Sequence, residues 1–303
     1  MGSLDGRIAV ITGAGRGLGR AHALLFASEG ACVVVNDSGT GHDGSPDGQD
    51  CDSAHGEDGV GQDSTPAESV AAEIRALGGD AAANGDDVAD WAAAKNLIDS
   101  TVERFGRLDI VVNNAGILRD RLVVNMTESE WDDVIRVHLR GHFCPTRHAA
   151  AYWREEHKAG RGRPRHIVNT SSTSGLMSNP GQSNYGAAKS GIATFTQIAA
   201  KELARYDVKV NCIAPAARTR LTLATPGLSD IMAARETGFD EWDPANVSPL
   251  VAYLSSSHCR FTGETFYAQG AVVQRVRSWE MAESVRNDKT WAVDELAAAL
   301  QEL

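Results

Sequence analysis

The chain has 303 residues, a formal net charge of −11 at pH 7 and an isoelectric point near 5.3. This length is sufficient for one large α/β core, and the acidic balance argues against a general role in binding nucleic acid or membrane surfaces. The five cysteines are scattered and form no CxxC motif, so the sequence predicts reduced thiols and neither disulfides nor a metal site.

The first predicted elements are a strand, a glycine-rich turn and a helix. An apolar run at residues 7–11 precedes glycines 13, 15, 17 and 19, and a helical pattern continues through residue 29. Such a turn lets backbone N–H groups approach a pyrophosphate at the positive end of the helix. The sequence therefore assigns dinucleotide binding to this turn, at Gly13, Arg16, Gly17, Leu18 and Gly19.

A second predicted strand, residues 31–36, ends at Asp37, twenty-four residues after Gly13. At this spacing a carboxylate binds the adenosine ribose hydroxyls, which favours NAD over NADP. Arg16 instead favours NADP, since a cation beside the second glycine of the motif could bind a 2′-phosphate. We expect Asp37 to decide the preference, because a carboxylate repels phosphate at contact range whereas Arg16 can turn into solvent. The alternative for Asp37 is a loop aspartate that caps a turn.

Residues 38–66 are predicted to be a flexible insertion without chemistry of its own. The segment holds seven glycines and seven acidic residues and almost no large apolar side chains, so it cannot bury enough surface to order itself. Residues 43–48 resemble the first half of a calcium loop, but Ala54 stands where the bidentate glutamate belongs. His42, Cys51 and His55 are too irregularly spaced to predict a metal site.

The rest of the chain continues the alternation of strands and helices. Residues 108–112, 166–170 and 208–213 are predicted strands, and 127–157 and 183–205 are predicted long helices. Alternation of this kind indicates a doubly wound parallel sheet, a Rossmann fold, in a single α/β domain over residues 1–275. A helical extension is expected over residues 276–303, with Trp279, Trp291, Leu296 and Leu300 packing on the core in preference to another subunit.

Tyr185 and Lys189 lie four residues apart in the last long helix, and Ser172 precedes Tyr185 by thirteen residues. Residues at this spacing share a helix face, so the ammonium can sit beside the phenol. A neighbouring cation lowers the pKa of a phenol, which makes Tyr185 a candidate general base. The Ser172 hydroxyl could bind the substrate oxygen. By itself the motif also fits an exposed helix face with a half-buried tyrosine.

Together these motifs closely resemble the short-chain dehydrogenase/reductase family over residues 4–274. Within the family, the chain is similar to the 3-hydroxyacyl-CoA dehydrogenase module of the type 2 peroxisomal multifunctional enzymes and to its actinobacterial relatives. Residues 33–37, 113–121, 137–141 and 213–215 carry this likeness.

The resemblance implies further contacts with the cofactor. Asp87 and Val88 would contact adenine, Asn114, Ala115 and Gly116 would support the cofactor's floor, and Lys189 would also bind the nicotinamide ribose. Pro215 would line the nicotinamide, although it is followed by Ala216 where the family has glycine. The two long helices would pair with a symmetry mate, which predicts a homodimer or homotetramer.

His138 departs from the family pattern, because most relatives have asparagine at this position, where it holds a water that links the catalytic lysine to solvent. A neutral imidazole offers one donor and one acceptor and can also hold a water. His138 is therefore a candidate proton-relay residue, and the alternative is a buried histidine with no relay role.

The resulting hypothesis is NAD-dependent oxidation of a secondary alcohol, a 3-hydroxyacyl-CoA with a fatty or steroid side chain. Four arginines on cleft-side loops could bind the CoA phosphates, or could instead pair with surface carboxylates: Arg119, Arg121, Arg218 and Arg220. The alternatives are an NADPH-dependent 3-oxoacyl reductase and a catalytically silent dinucleotide-sensing protein. Residues 1–6 lack a hydrophobic signal core and residues 301–303 are not a peroxisomal address, so we expect a cytoplasmic protein.

Overall fold

The structure is a computed structural model that describes residues 2–45, 64–223, 232–234 and 237–303. Eight strands form one sheet in the order β3-β2-β1-β4-β5-β6-β7-β8. The first seven strands are parallel, and β8 runs antiparallel to β7. The strands are β1 (Ile8–Thr12), β2 (Cys32–Asn36), β3 (Ala81–Asn84), β4 (Ile110–Asn113), β5 (Arg165–Thr170), β6 (Val208–Pro215), β7 (Thr265–Gln269) and β8 (Val272–Val276).

The strand order reverses between β1 and β4, which are neighbours in the sheet. In open α/β sheets the loops that leave the carboxyl ends of strands at such a point enclose a crevice. This doubly wound arrangement confirms the fold class predicted from the alternation of strands and helices. The crevice is formed here by the loops after β1, β2, β3, β4, β5 and β6.

Helices pack on both faces of the sheet and bury two hydrophobic clusters. One cluster includes Phe26 and Val251, and the other includes Leu97 and Trp153. Trp153 is fully buried and its indole N–H donates to Leu108 O at 2.8 Å. The described helices are α1 (Gly17–Ser28), α2 (Pro66–Ala76), α3 (Trp91–Phe105), α4 (Glu128–Ile135), α5 (Gly141–Lys158), α6 (Thr173–Met177), α7 (Ser183–Leu203), α8 (Arg220–Leu223), α9 (Ser248–Ser255) and α10 (Val293–Leu300).

The helix predicted over residues 127–157 is interrupted. It begins with a capping box, in which Thr127 and Glu130 satisfy each other's backbone N–H groups. A π-helical turn at Arg136–Arg140 then separates α4 from α5. Such turns are rare and occur frequently at functional sites, and this one carries His138.

The C-terminal extension differs from its prediction. Only Val293–Leu300 is helical, and Trp279 and Leu300 are 85% and 50% exposed. The expectation of packing on the core is therefore wrong for Trp279 and Leu300, whereas Trp291 and Leu296 are half-buried. Helical spacing of apolar residues indicates a face that requires a partner, and it does not identify that partner.

The insertion is described only at its two ends. Residues 46–63, including Asp47, Cys51 and His55, lie outside the described residues, so the predicted flexibility falls mainly outside them. The first eight residues, 38–45, return to the crevice: His42 O accepts from Leu118 N at 2.9 Å, and Asp43 O accepts from Arg119 Nε at 2.9 Å. The insertion therefore contributes to the wall of the crevice at its start.

Among the described helices, none is long and apolar enough to cross a membrane.

Candidate active site

The crevice at the carboxyl edge of the sheet is a cleft of about 460 Å³. With the exception of Gly19, every predicted site residue lines it. Gly19 is buried behind the glycine turn, where an added Cβ would meet Gly13 O and Asn114 Nδ2. The cleft-lining residues from the prediction are Gly13, Arg16, Gly17, Leu18, Asp37, Asp87, Val88, Asn114, Ala115, Gly116, His138, Ser172, Tyr185, Lys189 and Pro215.

The glycine turn between β1 and α1 has the backbone that its sequence predicts. Gly13 and Gly17 have φ of +61° and +53°, a region that other residues rarely adopt. An added Cβ at Gly13 would lie 2.7 Å from Ala115 Cα. The turn is thus packed closely on the loop after β4, and the amino end of α1 faces the cleft with its unpaired N–H groups.

Thr12 and Asn114 join the glycine turn to the loop after β4. Thr12 Oγ1 accepts from Asn114 N at 2.9 Å and from Ala115 N at 3.1 Å. Asn114 Nδ2 donates back to Thr12 O and Gly13 O, both at 3.1 Å. The role implied for Asn114 is therefore consistent with a structural tie under the cleft, and Thr12, which the sequence reasoning missed, is its partner.

Asp37 lies at the end of β2 with both carboxylate oxygens bonded to the backbone. One oxygen accepts from Gly15 N at 3.0 Å and the other from Gly39 N at 2.9 Å. Each oxygen keeps a lone pair for a ligand, and the side chain lines the cleft together with Arg16. Asp37 thus fits both expectations at once, since it holds a turn and presents a carboxylate to the cleft.

The predicted adenine contacts lie beyond β3. Asp87 pairs with Arg136 at 2.7 Å, and its other carboxylate oxygen accepts from Ala89 N at 2.8 Å. Val88 is 5% exposed and offers an apolar surface to the same end of the cleft. An apolar side chain beside a fixed acidic loop suits the face and edge of a flat heterocycle.

Ser172, Tyr185 and Lys189 meet in the cleft after β5. Ser172 immediately precedes α6, and its hydroxyl acts to lower the pKa of the Tyr185 phenol. The Lys189 ammonium lies 5.5 Å from the centre of the Tyr185 ring and donates to Thr170 O at 2.6 Å. The structure thus brings together the three residues that the sequence selected for proton transfer.

The proton affinities of this pair differ from the sequence expectation. Burial raises the pKa of Tyr185 to about 12, although the hydrogen bond with Ser172 acts in the opposite direction. Burial lowers the pKa of Lys189 to about 7. In the ligand-free protein, desolvation of both groups therefore outweighs the stabilisation of phenolate that the neighbouring ammonium was expected to provide.

His138 lies on the π-helical turn beneath the same residues. Its Nε2 is 2.7 Å from Ile117 O and 3.1 Å from Ile117 N, and its ring packs edge-on against Tyr185 at 5.0 Å. Burial and the nearby Lys189 hold the pKa of His138 well below its usual value, so the ring is neutral. Its Nδ1 is buried with no hydrogen-bond partner among the described residues. A ring nitrogen without a protein partner is compatible with the proposed role of His138 in holding a water.

Sequence reasoning missed one wall of the cleft. Ser174, Asn179 and Gln182 line it beside Ser172, as do Thr40, Gly41, His42 and Gly44 of the insertion. The polar residues fall between β5 and α7 in a segment without regular periodicity, so only their proximity to Tyr185 in the chain could have drawn attention to them.

The predicted phosphate-binding arginines are mostly paired. Arg119 lies 3.2 Å from an Asp133 oxygen and Arg121 lies 3.1 Å from a Glu130 oxygen. Arg218 forms an ion pair with Asp240. Arg220 lines the cleft, and its Nη1 is buried without a hydrogen-bond partner among the described residues. The alternative of intramolecular pairing thus holds for three of the four.

The fold, the glycine turn and the Ser172, Tyr185 and Lys189 group define the class of protein. A sequence profile described as "short chain dehydrogenase" matches residues 59–225. The chain belongs to the short-chain dehydrogenase/reductase family and is an oxidoreductase of the nicotinamide-dependent kind.

Three relatives illustrate the similarity. The hydroxyacyl-CoA dehydrogenase ChsB1 of Mycobacterium tuberculosis is 42% identical over 303 residues, which cover 99% of this chain and 89% of that protein. The peroxisomal multifunctional enzyme type 2 of Drosophila melanogaster is 44% identical over 86% of this chain and 38% of that protein. The crystal structure of a short chain dehydrogenase from Mycobacterium avium matches with a TM-score of 0.85 at 47% identity and covers 100% of this chain and 96% of that chain.

Proposed function

We propose that the protein is an NAD-dependent 3-hydroxyacyl-CoA dehydrogenase. The observation that carries the chemistry is the meeting of Ser172, Tyr185 and Lys189 in a cleft that also contains the glycine turn. The substrate class is supported by similarity over nearly the whole chain to a protein named a hydroxyacyl-CoA dehydrogenase.

In the oxidation, Tyr185 accepts the proton of the substrate hydroxyl while Ser172 hydrogen-bonds the same oxygen. A bound nicotinamide cofactor supplies the acceptor for the hydride that leaves the carbinol carbon. The ammonium of Lys189 lies against the ring of Tyr185. When Lys189 is protonated, its positive charge favours the phenolate form of Tyr185. His138 is the proposed link in the return of the proton to solvent, through its buried and unbonded Nδ1.

The preference for NAD is supported by Asp37, whose carboxylate is held at the edge of the cleft by two backbone N–H groups. A 2′-phosphate placed there would meet a fixed negative charge. Asp37→Ala is expected to relax the preference, and the ratio of kcat/KM for the two cofactors measures it. A wild-type protein that prefers NADP would instead favour the alternative of a 3-oxoacyl reductase.

Recognition of the CoA carrier does not rest on Arg119, Arg121 or Arg218, because these pair with carboxylates of this chain. Arg220 supports it, since a cleft-lining guanidinium with a buried, unbonded Nη1 can accept a phosphate. The other three could bind phosphate only by exchanging their present partners.

The test is turnover of 3-hydroxyacyl-CoA esters, straight-chain and steroid-side-chain, as separate R and S isomers. KM for a CoA ester should lie well below KM for the same acid on a pantetheine carrier, and added salt should raise the CoA value more steeply. Arg220→Gln should raise KM for the CoA ester selectively, whereas Arg104→Gln on the exposed surface of α3 serves as the control. Equal KM values for the two carriers would remove CoA recognition from the proposal.

A further inference from the structure

Asp120 lies between two arginines in the chain and pairs with neither. Arg119 bonds Asp133, and Arg121 bonds Glu130. The Asp120 carboxylate instead accepts a single hydrogen bond, from Gln182 Nε2 at 2.8 Å, and its other oxygen is buried without a hydrogen-bond partner among the described residues. A partly buried carboxylate with one neutral donor costs free energy, and residues that break the rules of stability in this way cluster at functional sites.

Gln182 connects Asp120 to the cleft. Its Oε1 accepts from Ser174 Oγ at 2.6 Å and from Asn179 Nδ2 at 3.3 Å. Ser174 N in turn donates to Ser172 Oγ at 3.2 Å. Hydrogen bonds therefore link the Asp120 carboxylate, through Gln182 and the side chain and backbone of Ser174, to the hydroxyl that is proposed to hold the substrate oxygen. Asp120 fixes which end of the Gln182 amide faces Ser174.

The backbone around Gln182 is also held in place. Arg121 N donates to Gly181 O at 2.8 Å, and Gly186 N donates to Gln182 O at 2.7 Å. Gln182 immediately precedes α7, three residues before Tyr185. The loop that contains Asp120 and the start of the helix that contains Tyr185 are thus one connected unit.

The charge of Asp120 acts on Tyr185. The carboxylate contributes to raising the pKa of Tyr185, after the larger effect of burial. The other groups that face the Tyr185 phenol are Ser172, Lys189 and His138. His138 is neutral, and the pKa of Lys189 is lowered to about 7 by burial. Among the described residues no arginine pairs with Asp120, and Lys189 is the cation that opposes its effect on the phenol.

We propose that Asp120 is a positioning residue for the reaction proposed above: it orients the Gln182 amide in the wall beside Ser172, and its negative charge, fixed by that contact next to the start of the Tyr185 helix, opposes the formation of a second negative charge on the phenol. A protonated phenol is the acid that the reduction of a ketone needs, and the phenolate is the base that oxidation needs. Asp120 thereby sets the pH at which the oxidation becomes fast. This inference rests on the proposed proton transfer through Tyr185.

The decisive experiment is the pH profile of kcat/KM in the oxidation direction for Asp120→Asn, which keeps the shape and removes the charge. The acid limb of the profile should move to lower pH by about 0.5 to 1 unit. Asp132→Asn removes an exposed carboxylate from α4 and should leave the profile unchanged. Superimposable profiles for Asp120→Asn and the wild type would overturn the proposal.

Gln182→Met separates positioning from charge. It breaks the hydrogen-bonded chain and retains the Asp120 carboxylate, so KM should rise several-fold while the acid limb does not move to lower pH. If the acid limb of the pH profile moved to lower pH in Gln182→Met, the role assigned to the Asp120 charge would be contradicted, because that charge is still present in this variant. This variant also keeps the proposal testable if Asp120→Asn does not fold. A purely structural role would lower thermal stability without moving the profile.

The profile should be measured with both a 3-hydroxyacyl-CoA and a simple secondary alcohol. A wild-type protein that oxidises only the simple alcohol would contradict the acyl-CoA proposal, and the profile with that alcohol would still test Asp120. The two hypotheses therefore fail in different measurements.

Discussion

At the scale of single residues, the central feature is a buried lysine beside a half-buried tyrosine, and the pKa of each is shifted in the direction that favours its own neutral form. The pKa of Tyr185 is about 12 and that of Lys189 is about 7. Near neutral pH the tyrosine is protonated and the lysine is poised to lose its proton. Substrate and cofactor would complete the polar surroundings of both groups, so catalysis depends on changes of solvation that accompany binding.

Replacement of Tyr185 by phenylalanine keeps the ring that packs on His138 and removes the hydroxyl. We expect kcat to fall by at least about a hundredfold, because the variant lacks the hydroxyl that is proposed to accept the proton. Binding of NADH, followed by fluorescence, should be preserved. Tyr206→Phe, three residues beyond the end of α7, is the control. Near-normal turnover by Tyr185→Phe would exclude Tyr185 as the base.

Lys189→Met should stabilise the folded protein at neutral pH. The unfolded lysine keeps its proton up to its ordinary pKa of 10.5, whereas the folded one loses it near 7. Between these values the unfolded state binds more protons, so the stability of the wild type rises with pH. The advantage of the methionine variant should be on the order of a few kcal/mol at pH 7 and below, and should shrink towards pH 10.

Chemical denaturation at several pH values measures this difference, and Lys201→Met on the exposed face of α7 provides the reference. A constant difference across pH 7 to 10 would mean that Lys189 stays charged in the folded protein.

The sequence identified residues whose chemistry depends on local spacing and missed those that depend on distant partners. Gly13, Gly17, Tyr185 and Lys189 are recognisable because a turn or one helix places them. Asp120 and Gln182 are 62 positions apart, and their hydrogen bond exists only because two loops meet at one edge of the sheet. The pKa shifts of Tyr185 and Lys189 could not be predicted from the sequence either, because they arise from burial in the folded protein.

At the scale of elements, the insertion combines two parts with different expected roles. Residues 38–45 contact the loop after β4, whereas the composition of residues 46–63 offers little apolar surface to bury. Composition alone could not divide the segment, because glycine-rich and acidic residues occur throughout it. The division depends on two hydrogen bonds, from Leu118 N to His42 O and from the Arg119 side chain to Asp43 O.

Two deletions test this division. Replacement of residues 46–63 by a short Gly/Ser linker should leave kcat/KM within a few-fold, since loop-closure entropy depends weakly on length. Extension of the replacement to residues 41–63 removes the contacts of His42 and Asp43 and should lower kcat/KM further. Equal activities of the two deletion proteins, measured alongside the wild type, would show that residues 41–45 contribute nothing to the cleft.

At the scale of the whole molecule, large apolar side chains are exposed on several elements. They occur on the two long helices predicted to form the subunit contact, at Phe143 of α5 and Ile198 of α7, and on the C-terminal extension, at Trp279 and Met281. Exposed apolar surface of this extent is typical of association. It supports the proposal of a homodimer or homotetramer and does not distinguish the two.

Sedimentation at micromolar concentration should therefore give a mass of two or four chains. Phe143→Asp with Ile198→Asp should shift the protein towards the monomer, because charge at a buried contact is costly. Glu128→Lys on the exposed start of α4 tests whether a change of charge alone is enough. A wild-type protein that remains monomeric at high concentration would contradict the expectation.

The contact between Gly116 and His138 makes the residue tolerated at one position depend on the residue at the other. An added Cβ at Gly116 would overlap the His138 imidazole, and Gly116 does not have the positive φ that would itself demand glycine. The size of residue 116 is thus limited by the ring at residue 138, so the effects of substitutions at the two positions are coupled. Gly116→Ala should be strongly destabilising alone and much less so after His138→Ala, a dependence that thermal denaturation of the four combinations would measure.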